Sequence, residues 1–97
     1  MTSIVAPKPS TSANASPQIR VMIVDDSAAI RGFLSRWVMS DPALCVVATA
    51  NNGRVAIDQV KAADPDVIIL DIEMPEMDGI TALPHLLKAS PHSKIIM

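Results

Sequence analysis

Cysteine is nearly absent from this chain: Cys45 is the only one in 97 residues. One thiol cannot build a disulfide framework or a structural zinc cluster. Its place inside Leu44-Cys45-Val46-Val47 reads as a small buried hydrophobe, and a reducing cytoplasm is the expected compartment. Long hydrophobic runs are missing too, and those present are far too short to span a bilayer. No sign of charge dominates, since eight Lys and Arg face ten Asp and Glu for a net charge of −2. That balance excludes a nucleic-acid or membrane-surface footprint in this segment. A secretory signal needs a basic start and a continuous apolar segment, whereas Ile4-Val5-Ala6 stops at Pro7. No G-x-G-x-x-G follows the first strand-like run, which argues against a nucleotide-binding fold, and no G-x-S-x-G-like hydrolase segment occurs.

What the chain does have is two acidic clusters, each closing an apolar run. Asp25-Asp26 ends Ile19-Arg20-Val21-Met22-Ile23-Val24, and Asp71 ends Val67-Ile68-Ile69-Leu70. Short β-branched runs of this kind predict buried parallel strands. If the two strands are neighbours, their ends lie roughly 5 Å apart. Three carboxylates then share one crevice, where like charges raise one another's pKa. A hard divalent cation with oxygen ligands is the natural occupant, and Mg²⁺ is the expected cofactor of a phosphate-handling site. Taken singly the acids have plainer readings, Asp25-Asp26 as helix caps and Asp71 as a solvated loop residue. Their joint placement at neighbouring strand ends carries the functional one.

Residues 1–17 are rich in Thr, Ser, Ala and Pro, with Lys8 the only charge, and predict a disordered tail. From residue 18 the pattern alternates strand and helix. Ser27 is a candidate N-cap for a helix bearing Ile30, Phe33, Leu34, Trp37 and Val38 on one apolar face, which places Trp37 in the core. Gly32 lies opposite, without an evident reason. Asp41-Pro42 ends that helix. Leu44 to Ala50 is the second strand, and Asn51-Asn52-Gly53 turns into a helix with Ala56, Ile57, Val60 and Ala63 inward. Asp64-Pro65 closes it. The loop 74–79 opens a third helix with Ile80, Leu83 and Leu87 inward. Pro84 removes a backbone hydrogen bond there, Ser90-Pro91 stops the helix, and Lys94 starts a fourth strand. This β-α-β-α-β-α-β order predicts an α/β open parallel sheet with helices on both faces, whose ligands bind at the carboxyl ends of the strands. His85 and His92 are isolated and read as exposed or packing residues.

Val24-Asp25-Asp26-Ser27 followed by Leu70-Asp71-Ile72-Glu73-Met74-Pro75-Glu76-Met77-Asp78-Gly79 resembles the receiver domain of two-component response regulators. The resemblance covers about residues 18–97 and implies a flavodoxin-like sheet of order 2-1-3-4-5. It implies that Asp71 accepts a phosphoryl group from a sensor histidine kinase, and that Asp25 and Asp26 hold Mg²⁺ together with Asp71 and the main-chain carbonyl of Glu73. The Glu73 side chain is then expected beside the phosphoryl group, affecting its lifetime. Within the family, Asp71-Ile72-Glu73-Met74-Pro75 and Gly79-Ile80-Thr81-Ala82-Leu83 are similar to the amino-terminal receiver of chemotaxis protein-glutamate methylesterases. That likeness implies a chemotaxis-type kinase as partner and an output domain beyond residue 97.

Family members carry a Ser or Thr after the fourth strand and a Lys after the fifth, and neither position occurs before Met97. The expectation is therefore a fragment, incomplete at its C-terminus and of low stability alone, with an unpaired strand edge and uncovered apolar surface. The alternatives are a single-domain chemotaxis or DNA-binding regulator, a haloacid-dehalogenase-like phosphatase, and a phosphate-independent interaction module. The phosphatase also uses an Asp nucleophile after an apolar strand, but Glu73 replaces the second Asp of its D-x-D motif and Asp25-Asp26 goes unexplained.

Overall fold

A computed structural model describes residues 17–97. The expected disordered tail lies outside the described residues, apart from Pro17. The elements run β1 (Ile19–Val24), α1 (Ala28–Met39), β2 (Leu44–Ala50), α2 (Gly53–Ala63), β3 (Val67–Leu70), α3 (Gly79–Ala89) and β4 (Lys94–Ile96). The strands form one sheet of order β2-β1-β3-β4, every pair parallel. This is the flavodoxin-like order that the resemblance implies, as far as its fourth strand.

The helix boundaries follow local chemistry. Ser27 caps α1 by accepting from the Ile30 N–H at 3.2 Å, and Asn52 caps α2 by accepting from Val55 N–H at 2.9 Å. α2 ends at Asp64, which takes a left-handed conformation (φ 47°) before Pro65. There Arg20 donates to the Ala63 and Asp64 carbonyls, at 2.7 and 3.1 Å, satisfying acceptors that the last helical turn leaves open. α3 runs unbroken through Pro84. In β2, Val21 pairs with Val46 but Met22 with Ala48, so Val47 is an extra residue in a bulge. Val47 and Ala48 consequently both face the α2/α3 side.

The two faces of the sheet are covered unequally. Met22, Val24, Ile68 and Leu70 pack beneath Ala56, Val60 and Ala63 of α2 and Ala82 and Leu86 of α3. Among the described residues the opposite face carries only α1, where Val38, flanked by Leu34, meets Val21 and Ile23. A single helix on that face explains a departure from the sequence reading. Leu34 and Val38, four residues apart, form the line that touches the sheet. The rest of the stripe lies to the side, leaving Ile30 45%, Phe33 58% and Trp37 64% exposed. Trp37 is therefore not a core residue.

The inward face of α3 also differs. Gly79, Ala82 and Leu86 are buried, with Leu83 beside them, while Ile80 and Leu87 are exposed. The helix is turned one residue from the expected face because close approach selects small side chains. A Cβ on Gly53 would lie 2.8 Å from both the Ala82 Cβ and the Met77 carbonyl, and a Cβ on Gly79 would collide with the Asp71 carbonyl. At the other end of α3, the buried Ser93 hydroxyl donates to the Pro65 carbonyl at 2.5 Å and pairs with Ser90 at 2.6 Å, tying β4 to the entry of β3.

Candidate functional site

The register of β1 and β3 builds the site. Val24 pairs with Leu70, so the next residue of each strand, Asp25 and Asp71, emerges at the same level. The ladder continues past both ends: Asp71 N–H donates to the Val24 carbonyl at 2.9 Å, and Asp25 N–H to the Ala50 carbonyl of β2 at 3.0 Å. Carboxylate oxygens of Asp25, Asp26 and Asp71 all lie within 4.8 Å of one another. The expected convergence at neighbouring strand ends is present. Asp25 and Asp71 are half-buried and Asp26 is exposed.

Each acid is held differently. Asp25 accepts the Ser27 N–H on Oδ1 at 2.9 Å, and its main-chain carbonyl accepts Nη1 of Arg31 at 2.7 Å. Partial burial pushes the Asp71 carboxyl above its ordinary range, and the charge on Asp25 adds to the shift. Hydrogen bonding from the Glu73 N–H opposes it, Asp26 raises it again, and the Ile72 N–H lowers it slightly. Mutual repulsion of this kind is what a cation bound among the three oxygens relieves. The donor set, carboxylate oxygen throughout, fits a hard divalent ion such as Mg²⁺.

A crevice lined by Asp26, Ile72, Glu73, Met74, Pro75 and Asp78 opens beside the acids. Glu73 is exposed in the β3–α3 loop. That loop turns at Glu76, whose φ is +66°, and is fastened by Gly53 N–H to the Met77 carbonyl (3.1 Å) and Gly79 N–H to the Ile72 carbonyl (2.8 Å). Asp78 caps α3, accepting the Thr81 N–H at 2.7 Å, a bond that holds its carboxyl below the ordinary range. Gly79 lets the helix start directly against the strand end bearing Asp71. His85 is exposed, and His92 lies 2.9 Å from Asp64, at the opposite end of the sheet from the acids. Sequence reasoning named the acids and the loop but not Arg31 or the packing roles of Gly53 and Gly79. Asp-Gly at the head of a helical pattern was an available signal for Gly79, whereas nothing in the spacing of Arg31 marks it.

The model of the response regulator receiver domain family matches residues 21–97. A protein-glutamate methylesterase/protein-glutamine glutaminase of Nitrobacter winogradskyi is 54% identical over 79 residues, which are 81% of this chain and 19% of that protein. The chain thus spans about a fifth of that relative's length. The response regulator domain of Thermotoga maritima CheB superposes with a TM-score of 0.78 at 41% identity, covering 82% of this chain and 59% of that one. A chain in the complex of the P1 domain of CheA3 with CheY6 from R. sphaeroides gives 0.70 at 41% identity, with coverages of 82% and 62%. Among the described residues no helix is long and apolar enough to cross a membrane.

Proposed function

Since the chain belongs to the response regulator receiver domain family, we propose that Asp71 is its phosphoacceptor and that Asp25, Asp26, Asp71 and the main-chain carbonyl of Glu73 hold Mg²⁺. The observation that supports this best is the meeting of three carboxylates within 4.8 Å at the ends of β1 and β3. A carboxylate oxygen of Asp71 attacks the phosphorus of a phosphohistidine on a sensor kinase. A P–O bond forms as the P–N bond breaks, and the electron pair leaves with the imidazole nitrogen. Bound Mg²⁺ supplies charge neutralisation for the carboxylates and the phosphoryl oxygens. The protein contributes positioning: the strand register sets Asp71 opposite Asp25, and the N–H groups of Glu73 and Ile72 face its carboxylate. The Glu73 side chain, on the crevice wall, stands where it affects the lifetime of the acyl phosphate.

The likeness to the methylesterase of N. winogradskyi supports a narrower reading. The chain (residues 18–97) is the amino-terminal receiver of a cytoplasmic chemotaxis protein-glutamate methylesterase, phosphorylated by a chemotaxis-type kinase and acting on an output domain in the same protein. Incubation with acetyl phosphate and Mg²⁺, read by intact mass, tests the phosphoacceptor. A one-phosphate adduct absent from Asp71→Asn is expected. Rapid multiple turnover instead favours a phosphatase, and no adduct favours a phosphate-independent module.

A further inference from the structure

Of the two adjacent acids after β1, one is tied down and the other is not. Asp25 is fixed three times: its N–H on Ala50, its Oδ1 on Ser27 N–H, and its carbonyl on the Arg31 guanidinium. The exposed carboxylate of Asp26 takes no hydrogen bond among the described residues, although it lies with the other two in the cluster. Its aim therefore depends on its backbone. The Asp25 carbonyl and the Asp26 N–H belong to one planar peptide unit, so whatever holds that carbonyl sets the rotation of the plane from which Asp26 projects.

Arg31 is placed to do this. It sits in the second turn of α1, half-buried, its own N–H bonded to the Ser27 carbonyl at 2.9 Å. The cap at Ser27 anchors that turn. The guanidinium reaches back over the helix start at 2.7 Å, the length of a strong, charge-assisted bond. Its hydrogen bond to the site is to a main-chain carbonyl, not to any of the three carboxylates.

We propose that Arg31 is a positioning residue for the cation site, locking the Asp25–Asp26 peptide plane so that the Asp26 carboxylate is presented to a divalent ion. The assignment rests on the Mg²⁺ reading above. Its loss weakens the ion while leaving all three carboxylates in place, an effect of about 10-fold or more for groups that orient metal ligands.

Calorimetric titration of Mg²⁺ into the 97-residue chain tests it, with folding of each variant checked by amide NMR dispersion. Arg31→Met keeps the apolar stem and removes the donor, and its Kd for Mg²⁺ is expected to rise about 10-fold. Arg31→Lys still offers a charged donor to the Asp25 carbonyl and is expected to recover most of that affinity. A methionine variant that binds as tightly as the parent overturns the proposal, as does a lysine variant no better than methionine. Should Arg31→Met fail to fold, Arg31→Gln, whose amide falls short of the carbonyl, carries the same expectation and the same refutation. A parent chain that binds no Mg²⁺ overturns the metal reading and this one together. Parent binding with unchanged variants overturns the role of Arg31 alone.

Discussion

Asp71 is a strained residue in the absence of a cation, because partial burial and the charges of Asp25 and Asp26 raise its pKa in the folded chain. The sign of the consequence follows from linkage. A carboxyl whose folded pKa lies above its unfolded value binds more protons when folded, so stability falls as pH rises through the folded pKa. Well below 3.8, the ordinary value, both states are protonated and the penalty vanishes. In EDTA at pH 7, Asp71→Asn is therefore expected to resist urea better than the parent. The advantage disappears on acidification to pH values well below 3.8. A variant less resistant than the parent at pH 7 contradicts this. Asp78 behaves oppositely, since its capping bond lowers its pKa. Its contribution is present above the ordinary carboxylate value and is lost as pH falls through the depressed one, which far-UV circular dichroism of helix content can follow. Asp25, Asp26 and Asp71 were legible in the sequence because an apolar run ending in Asp announces both the strand and the group at its end. Arg31 was not, because a cation six residues on acts through a carbonyl, and backbone acceptors leave no trace in residue types.

At the scale of elements, the strands and the cap of the first helix could be read directly, since β-branched runs and Ser27 report local physics. The inward faces of α1 and α3 could not. Hydrophobic periodicity assumes a partner along the whole stripe, but α1 meets the sheet along Leu34 and Val38 only. α3 approaches through Gly79 and Ala82 because nearness, not apolar bulk, decides that contact. Two glycines separate the effects. Gly79→Ala forces a Cβ into the Asp71 carbonyl and is expected to cost about 1–3 kcal/mol, the usual range for overpacking, and to disturb the acid it abuts. Gly32→Ala meets nothing nearer than an Arg36 nitrogen at 3.9 Å and should stabilise α1 by about 1 kcal/mol through helix propensity alone. Urea unfolding of Gly32→Ala and the parent in saturating Mg²⁺, and the helical circular dichroism that Gly79→Ala retains at a fixed urea concentration, check both, and equal effects contradict the packing account.

Across the molecule, coverage is lopsided. The α2/α3 face is a closed apolar layer, while on the other side Phe33, Trp37 and Ile96 remain largely exposed, and β2 and β4 are the open edges of the sheet. Uncovered surface of this kind lowers the net gain from folding. In EDTA the 97-residue chain is expected to unfold in urea without a sharp transition. Mg²⁺ binds the folded state and should stabilise it by about 2.7 kcal/mol at a hundred times its Kd. A steep transition in EDTA, indifferent to Mg²⁺, contradicts that expectation. The parallel α/β sheet was legible from the alternation of strands and helices, but its strand order came from the resemblance to receivers, because right-handed crossovers alone do not choose among the possible orders. The exposed half of α1 was not, since covering is a property of the assembled layers. The most direct test of the central claim is to locate the phosphoryl group: treat the chain with acetyl phosphate, reduce the acyl phosphate with borohydride, and map the altered residue by peptide mass spectrometry. Homoserine at position 71 in the presence of Mg²⁺, and its loss when the ion is chelated, is the predicted result. Modification at Asp25, Asp26 or Glu73 instead, or a yield at Asp71 indifferent to the chelator, would contradict it.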